Sequence, residues 1–172
     1  LLAGALTGLL ALGWVTADLA ASVNDRRGLD LMALSTRVSG QRVLVARRLA
    51  ARAYQKAAAL MPFEDAIFRR QADSLRFLAA VESGPMLILA EAERKARRAV
   101  ALAPLRSLNY RYLGLVLLSE AKLGNAGRIQ EGEAAYAQCL ELAPQDVLVM
   151  VEWARAEIEL WLHEHPVNLL RR

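Results

Sequence analysis

Cysteine, histidine and aromatic residues are scarce in this chain of 172 residues, which has one cysteine, two histidines and 6% aromatic residues. A single cysteine, Cys139, excludes a disulfide within the chain. His163 and His165 lie two positions apart beside Glu164, and a metal site needs further ligands that converge on them, so we expect no metal. Alternating runs of β-branched residues are also absent, which excludes a sheet and leaves an all-α fold.

The motifs that usually carry catalysis or nucleotide binding are missing as well. The sequence contains no glycine-rich phosphate loop, no CxxC motif and no Ser/His/Asp arrangement. Glu91 and Glu93 are two positions apart on a predicted helix, so they point to different faces and form no acid–base pair. We therefore expect no enzymatic activity and no cofactor in this chain.

The chain does contain a spacing of twelve residues that occurs three times and ends each time in proline. The copies are Ala50-Tyr54-Ala57-Pro62, Ala92-Ala96-Ala99-Pro104 and Gly132-Tyr136-Cys139-Pro144. The prolines are 42 and 40 residues apart, and a period of this size indicates a helical repeat array. Each unit of such an array buries its apolar face by stacking on its neighbours.

Each repeat is predicted to be a pair of closely packed helices, A and B. A second aligned set follows each proline, with large residues at Phe68, Tyr110 and Met150 and small ones four positions later at Ala72, Gly114 and Ala154. The small residues let two helices approach closely, and the proline ends helix B because it has no backbone N–H. Cys139 shares the small position of Ala57 and Ala99, so we expect a buried thiol.

This pattern resembles the second helix of a tetratricopeptide repeat. The resemblance is specific at Tyr110 to Gly114 and at Tyr136 to Pro144, and weaker at Ala92 to Pro104. A standard tetratricopeptide repeat is shorter than these units, so longer helices or longer turns are expected, and the turns fall at 83–85 and 124–127. The resemblance implies an α-solenoid whose A helices form a groove for a peptide.

The roughly 150 residues after the span are enough for one domain with about seven helices, and an apolar period of 3.6 residues marks them. Helix pairs are predicted at 29–38 with 41–61, at 64–82 with 86–103, and at 106–123 with 129–142, followed by a capping helix at 146–164. The predicted domains are a transmembrane helix at 1–23, a repeat domain at 24–165 and a C-terminal tail at 166–172. The predicted fold class is thus an all-α chain with an N-terminal transmembrane helix and a tetratricopeptide-like α-solenoid of about three helix pairs plus a capping helix.

The transmembrane prediction depends on residues 1–15, which are almost wholly apolar, with the first charge at Asp18. The run is short of the roughly 20 residues that span a bilayer. The chain begins at leucine rather than methionine, so we expect the span either to begin upstream, within a longer polypeptide, or to continue to Ala21. A signal peptide cleaved at Ala20-Ala21-Ser22 and a buried helix are the alternative interpretations.

Basic residues dominate the segment 25–61, where eight arginines and lysines face two aspartates. Such a cluster beside a span favours the cytoplasmic side, so the repeat domain is predicted there. Arg26, Arg27 and Arg37 are candidates for contact with lipid head groups of the bilayer, and a solvated helix face is the alternative. The basic segment lacks interleaved aromatic residues, so we expect no nucleic-acid partner.

A broader resemblance covers nearly the whole chain. The stretches Tyr54 to Asp65, Val100 to Leu105 and Leu140 to Pro144, with the terminal span, resemble the repeat-bearing C-terminal region of bacterial O-antigen ligase-like membrane proteins. In that family glycan is transferred from a lipid carrier by residues of a multi-span portion that is not among these residues. The resemblance therefore implies a non-catalytic tail of a glycan ligase or polymerase.

Two hypotheses of function follow from these observations. The first is a membrane-anchored helical-repeat scaffold that binds a protein partner or stabilises a larger membrane complex, and the alternative is the tail of an O-antigen ligase-like enzyme. Helical repeats bind partners through the inner face of their A helices. The candidate groove residues are Arg69, Asp73, Arg76 and Arg111, for which ordinary solvated charge is the alternative interpretation.

Overall fold

The computed structural model describes the backbone of residues 2–164 and the side chains of residues 13–161. Within these residues the chain forms seven α-helices. They are α1 (Leu2–Ser35), α2 (Gln41–Leu60), α3 (Asp65–Ala79), α4 (Pro85–Leu102), α5 (Ser107–Lys122), α6 (Arg128–Leu142) and α7 (Val147–Glu164). The predicted C-terminal tail at 166–172 lies outside the described residues.

Six of the helices form three pairs, α1 with α2, α3 with α4 and α5 with α6, and each pair stacks on the next. The first helix of each pair is its helix A and the second its helix B. The last helix, α7, packs on α5 and α6. The predicted helical-repeat fold is therefore confirmed, and from α2 onward the helices begin and end within three residues of the predicted bounds.

The segment predicted to cross a membrane is the first part of α1. This helix continues to Ser35 through the charged residues Asp25 and Arg26. Asp18 lies within the predicted span at 1–23, where a charged side chain is costly. Among the described residues, no helix is long and apolar enough to cross a membrane. The predicted transmembrane helix at 1–23 and the predicted membrane location with cytoplasmic repeats are therefore wrong.

The helix α1 instead serves as helix A of the first pair. Ala21 and Gly28 are buried, and a Cβ atom built on Gly28 would lie 2.5 Å from the Tyr54 ring of α2. The predicted break between a membrane helix and a separate repeat helix at 29–38 does not occur. Glycine weakens an isolated helix, but here it gives the Tyr54 ring the space that a larger residue would occupy.

Each turn from a helix A to its helix B contains one glycine in the left-handed region. Gly40, Gly84 and Gly124 have φ angles of 62°, 77° and 98°, which residues with a side chain rarely adopt. The turns from helix B to the next helix A have a different, repeated geometry, in which a capping N–H donates to the carbonyl four residues earlier. The donors are Met61, Ala103 and Ala143, at 2.9, 3.1 and 3.0 Å, and each is followed by one of the repeated prolines.

Close contact between helices A and B depends on small residues, as predicted. A Cβ atom built on Gly114 would lie 2.7 Å from the Tyr136 ring of α6. In the middle pair the two equivalent positions are Ala72 and Ala96, which are both fully buried. Cys139 is also fully buried, which confirms the predicted core thiol, and burial raises its pKa.

Candidate functional site

The A helices of successive repeats lie side by side, and one polar face runs across α3, α5 and α7. We call it the A-helix face and define it by Arg69, Asp73, Arg76, Arg111, Tyr112 and Glu152. All six side chains are intermediate between buried and exposed. Arg69 and Arg111 both lie against the Tyr112 ring, and the charges of Arg76, Arg111 and Glu152 act on the Asp73 carboxyl. The structure thus brings the four predicted groove residues onto one surface, together with two residues that the sequence did not indicate.

Ion pairs join α1 to α3 and α5 to α7. Arg111 of α5 donates to the Glu152 carboxylate of α7 through Nε at 2.7 Å and Nη2 at 2.5 Å. These charge-assisted bonds hold the pKa of Arg111 above its ordinary value. Arg70 of α3 pairs with Asp25 of α1 through a single contact, between Nη1 and Oδ2. Arg111 and Glu152 are 41 residues apart, so opposite charges one repeat apart are the signal that would have found Glu152.

Asp73 and Arg76 form a second pair, within α3. The Oδ1 atom of Asp73 accepts from Nε and Nη2 of Arg76 at 3.2 and 2.8 Å. The Arg76 guanidinium also lies 4.3 Å from the centroid of the Phe77 ring. Burial raises the pKa of Asp73, and Arg76 acts in the opposite direction. The Asp73 carboxylate therefore depends on Arg76 to compensate for its lost hydration.

Arg69 has weaker polar partners than the other arginines of the face. Its Nη1 donates to Oδ1 of Asn109 at 3.3 Å, and its closest approach to the Asp65 carboxylate is 3.9 Å. Its guanidinium lies 5.9 Å from the centroid of the Tyr112 ring. Burial lowers the pKa of Arg69. A ligand carboxylate bound here would give the guanidinium a closer anionic partner than Asp65 does.

A cavity of about 290 Å³ adjoins this face near the ends of α3 and α5. Its lining is largely apolar and includes Phe77, Leu89 and Leu123, with Arg76 and Lys122 as the charged members. No repeat motif marks Phe77 or Lys122, so the sequence analysis did not select them. The cavity provides space for an apolar ligand side chain next to the charged A-helix face.

The three arginines predicted to contact lipid head groups lie elsewhere. Arg26 and Arg27 belong to α1, Arg37 to the turn after it, and all three are exposed. Arg26 lies 3.6 Å from Asp30 in an ion pair whose side chains are 79% and 69% exposed, a kind that contributes about 0–1 kcal/mol to stability. No finding tests a contact of these arginines with lipid, which stays a prediction.

The chemistry of the A-helix face is that of guanidinium, carboxylate and phenol groups. Among the residues whose side chains are described, no cluster of three or more His, Cys, Asp or Glu residues is placed to hold a metal ion. The side chain of His163 and the whole of His165 lie outside that part of the chain. The described face is thus suited to binding through charge, hydrogen bonds and aromatic contacts.

These features define an all-α helical-repeat protein with a tetratricopeptide-like fold. The chain is similar to a solved structure described as the first TPR of Spaghetti (RPAP3) bound to the HSP90 peptide SRMEEVD, with a TM-score of 0.62 and 19% sequence identity. The match covers 83% of this chain and 94% of that chain. At this identity the likeness concerns the fold, and it confirms the predicted tetratricopeptide-like architecture.

No protein-family model and no curated protein matches the chain. The comparisons therefore give no support to the predicted resemblance to O-antigen ligase-like proteins. The comparisons also give no support to the predicted lipid partner.

Proposed function

We propose that this chain is a non-catalytic repeat scaffold that binds a peptide segment of a partner protein on its A-helix face. The main support is Arg69, whose side chain is only 12% exposed and whose guanidinium lies 3.9 Å from its nearest carboxylate, that of Asp65. An anionic group of a ligand would shorten that gap and gain a charge-assisted hydrogen bond. Phe77 and the neighbouring cavity offer a place for an apolar side chain of the same peptide.

The charged residues of the A-helix face indicate which groups the bound peptide carries. The carboxylate of Glu152 already accepts two bonds from Arg111, and that of Asp73 accepts two from Arg76. Among the three arginines of the face, Arg69 is therefore the one without a carboxylate at hydrogen-bond distance. We infer a peptide with a carboxylate that reaches Arg69 and an apolar residue that enters the cavity. The similar tetratricopeptide structure carries an acidic peptide, SRMEEVD, which is consistent with this inference.

Selection from a random dodecapeptide library on the intact protein tests this proposal. The enriched peptides are expected to combine carboxylates with an apolar residue. Their affinity, measured by fluorescence anisotropy, should fall at least about tenfold in Arg69→Gln, because a hydrogen bond to a charged group contributes about 1.5–3 kcal/mol. Arg94→Gln is the matched control, since the Arg94 side chain lies on α4 and is 74% exposed.

Two outcomes would contradict the proposal. One is a library that yields no enriched peptide on the folded protein. The other is a set of enriched peptides that bind wild-type protein and Arg69→Gln with equal affinity, since the binding surface would then lie elsewhere.

A further inference from the structure

The last helix, α7, is apolar on two opposite sides. One side carries Val149, Ala156 and Leu160, which are buried in the contacts of α7 with α5 and α6. The other side carries Val147, Val151, Ala154 and Ile158, at spacings of four, three and four residues that place them along one stripe. All four are exposed, Val147 by 67%, Val151 by 58% and Ile158 by 59%. We call these four residues the α7 stripe.

The repeat shows what covers the corresponding surface one unit earlier. In α5, the backbone at Gly114 receives the Tyr136 ring of α6, which would lie 2.7 Å from a Cβ atom at Gly114. One turn later, Leu118 packs on Gly132 of α6, where a Cβ atom would lie 2.6 Å from the leucine Cδ2. The surface of α5 that contacts α6 therefore consists of a small residue and, four positions later, a large aliphatic residue.

The same pair of residues recurs in the α7 stripe. Forty residues after Gly114 and Leu118 stand Ala154 and Ile158. In α5 the two positions are buried beneath α6, whereas in α7 both are exposed. The sequence analysis placed Ala154 at a close helix approach because it aligns with Gly114, but among the described residues no second helix lies over it. The α7 stripe thus has the form of a surface that receives a helix B.

We propose that the α7 stripe is a docking site for an amphipathic helix of a partner protein, which lies along α7 as α6 lies along α5. The stripe runs from Val147 to Ile158, a length of about 17 Å at about 1.5 Å per residue. A partner helix of three to four turns matches this length. This surface is separate from the A-helix face, and the inference does not rest on the function proposed for that face.

Charge indicates a basic partner rather than a second copy of this chain. The helix α7 contains four glutamates and one arginine. Glu152 is paired with Arg111, and Glu159 with Lys122 and Arg155. Glu157 is exposed and precedes Ile158 of the stripe directly. A second α7 would add its own excess of carboxylates to that of the first, whereas lysine or arginine beside the stripe would be attracted by Glu157.

The chain itself contains a helix of the required kind, which makes a defined probe. The sequence of α2 is that of a helix B with five basic residues and no acidic ones, QRVLVARRLAARAYQKAAAL. The sequence of α6 is also that of a helix B, but it has three glutamates and one arginine, RIQEGEAAYAQCLEL. Synthetic peptides with these two sequences therefore have net charges of opposite sign, and they also differ in length, with 20 and 15 residues.

Binding of the labelled α2 peptide to the intact protein, followed by fluorescence anisotropy, tests the inference. We expect saturable binding that weakens at least about tenfold in the double variant Val151→Glu, Ile158→Glu, because each glutamate places a charge in the apolar contact. The α6 peptide should bind the wild-type protein more weakly. Glu157→Lys should reduce the preference for the α2 peptide.

The matched control is the double variant Leu87→Glu, Leu105→Glu, which places the same charges on leucines that are 82% and 84% exposed elsewhere. It should bind the α2 peptide as the wild-type protein does, and circular dichroism should show both double variants folded. Equal affinity of the α7 variant and the wild-type protein would overturn the inference. So would a wild-type dimer, detected by light scattering, that the α7 variant converts to monomer, since the stripe would then bind a second copy.

Discussion

The contact between Gly114 and Tyr136 gives the sharpest test of how the repeats pack. In Gly114→Leu, the new Cβ atom alone would lie 2.7 Å from the Tyr136 ring and 3.2 Å from the carbonyl oxygen of Gly132. The ring is fully buried, and the carbonyl belongs to the backbone, so neither can move without displacing α6 from α5. The substitution therefore forces the two helices apart at their closest approach.

The expected loss of stability in Gly114→Leu is the difference between two opposing effects. Overpacking of this kind costs about 1–3 kcal/mol, and a leucine belongs at the upper end because three further carbons follow its Cβ atom. The higher helix propensity of leucine offsets about 0.8 kcal/mol of that cost. The net loss is about 2 kcal/mol, which for a domain of this size lowers the melting temperature by about 4–8 °C.

Thermal unfolding followed by circular dichroism measures this loss. Gly13→Leu is the control, because Gly13 also lies in a helix but a Cβ atom there would have no heavy atom within 4 Å. That variant should keep or slightly raise the melting temperature, since only the propensity changes. An unchanged melting temperature in Gly114→Leu would refute the proposed register of α5 against α6.

Two further predictions concern ionisable groups. Arg111→Gln should lower the free energy of unfolding by about 1.5–3 kcal/mol, because two charge-assisted bonds to Glu152 are lost, and hydrogen exchange should accelerate in α7. Burial raises the pKa of Tyr54 and Tyr136 above the ordinary value of 10.0. Their phenols therefore ionise more readily in the unfolded chain than in the folded protein. The contribution of these tyrosines to the free energy of unfolding should be constant below pH 10 and should fall as the pH rises above 10.

Each of these predictions has its own control. Arg155→Gln removes a pair with Glu159 whose side chains are 79% and 41% exposed, so its cost should stay below about 1 kcal/mol. An Arg111→Gln protein as stable as the wild type would show that the pair adds nothing. For the tyrosines, ultraviolet absorbance should show two phenols that ionise only as the protein unfolds, and their titration near pH 10 in folded protein would contradict their burial.

The positions at which most helices begin and end were predictable from residues near those positions. The prolines at the ends of the B helices and the glycines of the A–B turns act within a few residues, so their effects can be read without knowledge of the fold. The first helix was divided wrongly for the opposite reason. The apolar run followed by charges predicts a span at 1–23 and a separate repeat helix at 29–38, but packing on α2 keeps α1 continuous.

The candidate sites were only partly predictable. The repeat register placed Arg69, Asp73, Arg76 and Arg111 on A helices, and the structure brings them onto one face. The repeat register did not predict which charged residues form ion pairs, because the partner of Arg111 lies on another helix. The exposed α7 stripe was also missed, since Ala154 aligns with residues that are buried in the earlier repeats.

The sequence alone determined that this protein is a helical repeat, where its turns lie and which small residues permit close helix contacts. These properties depend on backbone preferences and on a periodic pattern that every copy of the repeat carries. The tertiary structure decided which apolar surfaces are covered, which charges are neutralised and whether the first apolar segment belongs to the repeat stack. Those properties depend on neighbours that are about 40 residues away in the chain and meet only when the repeats stack.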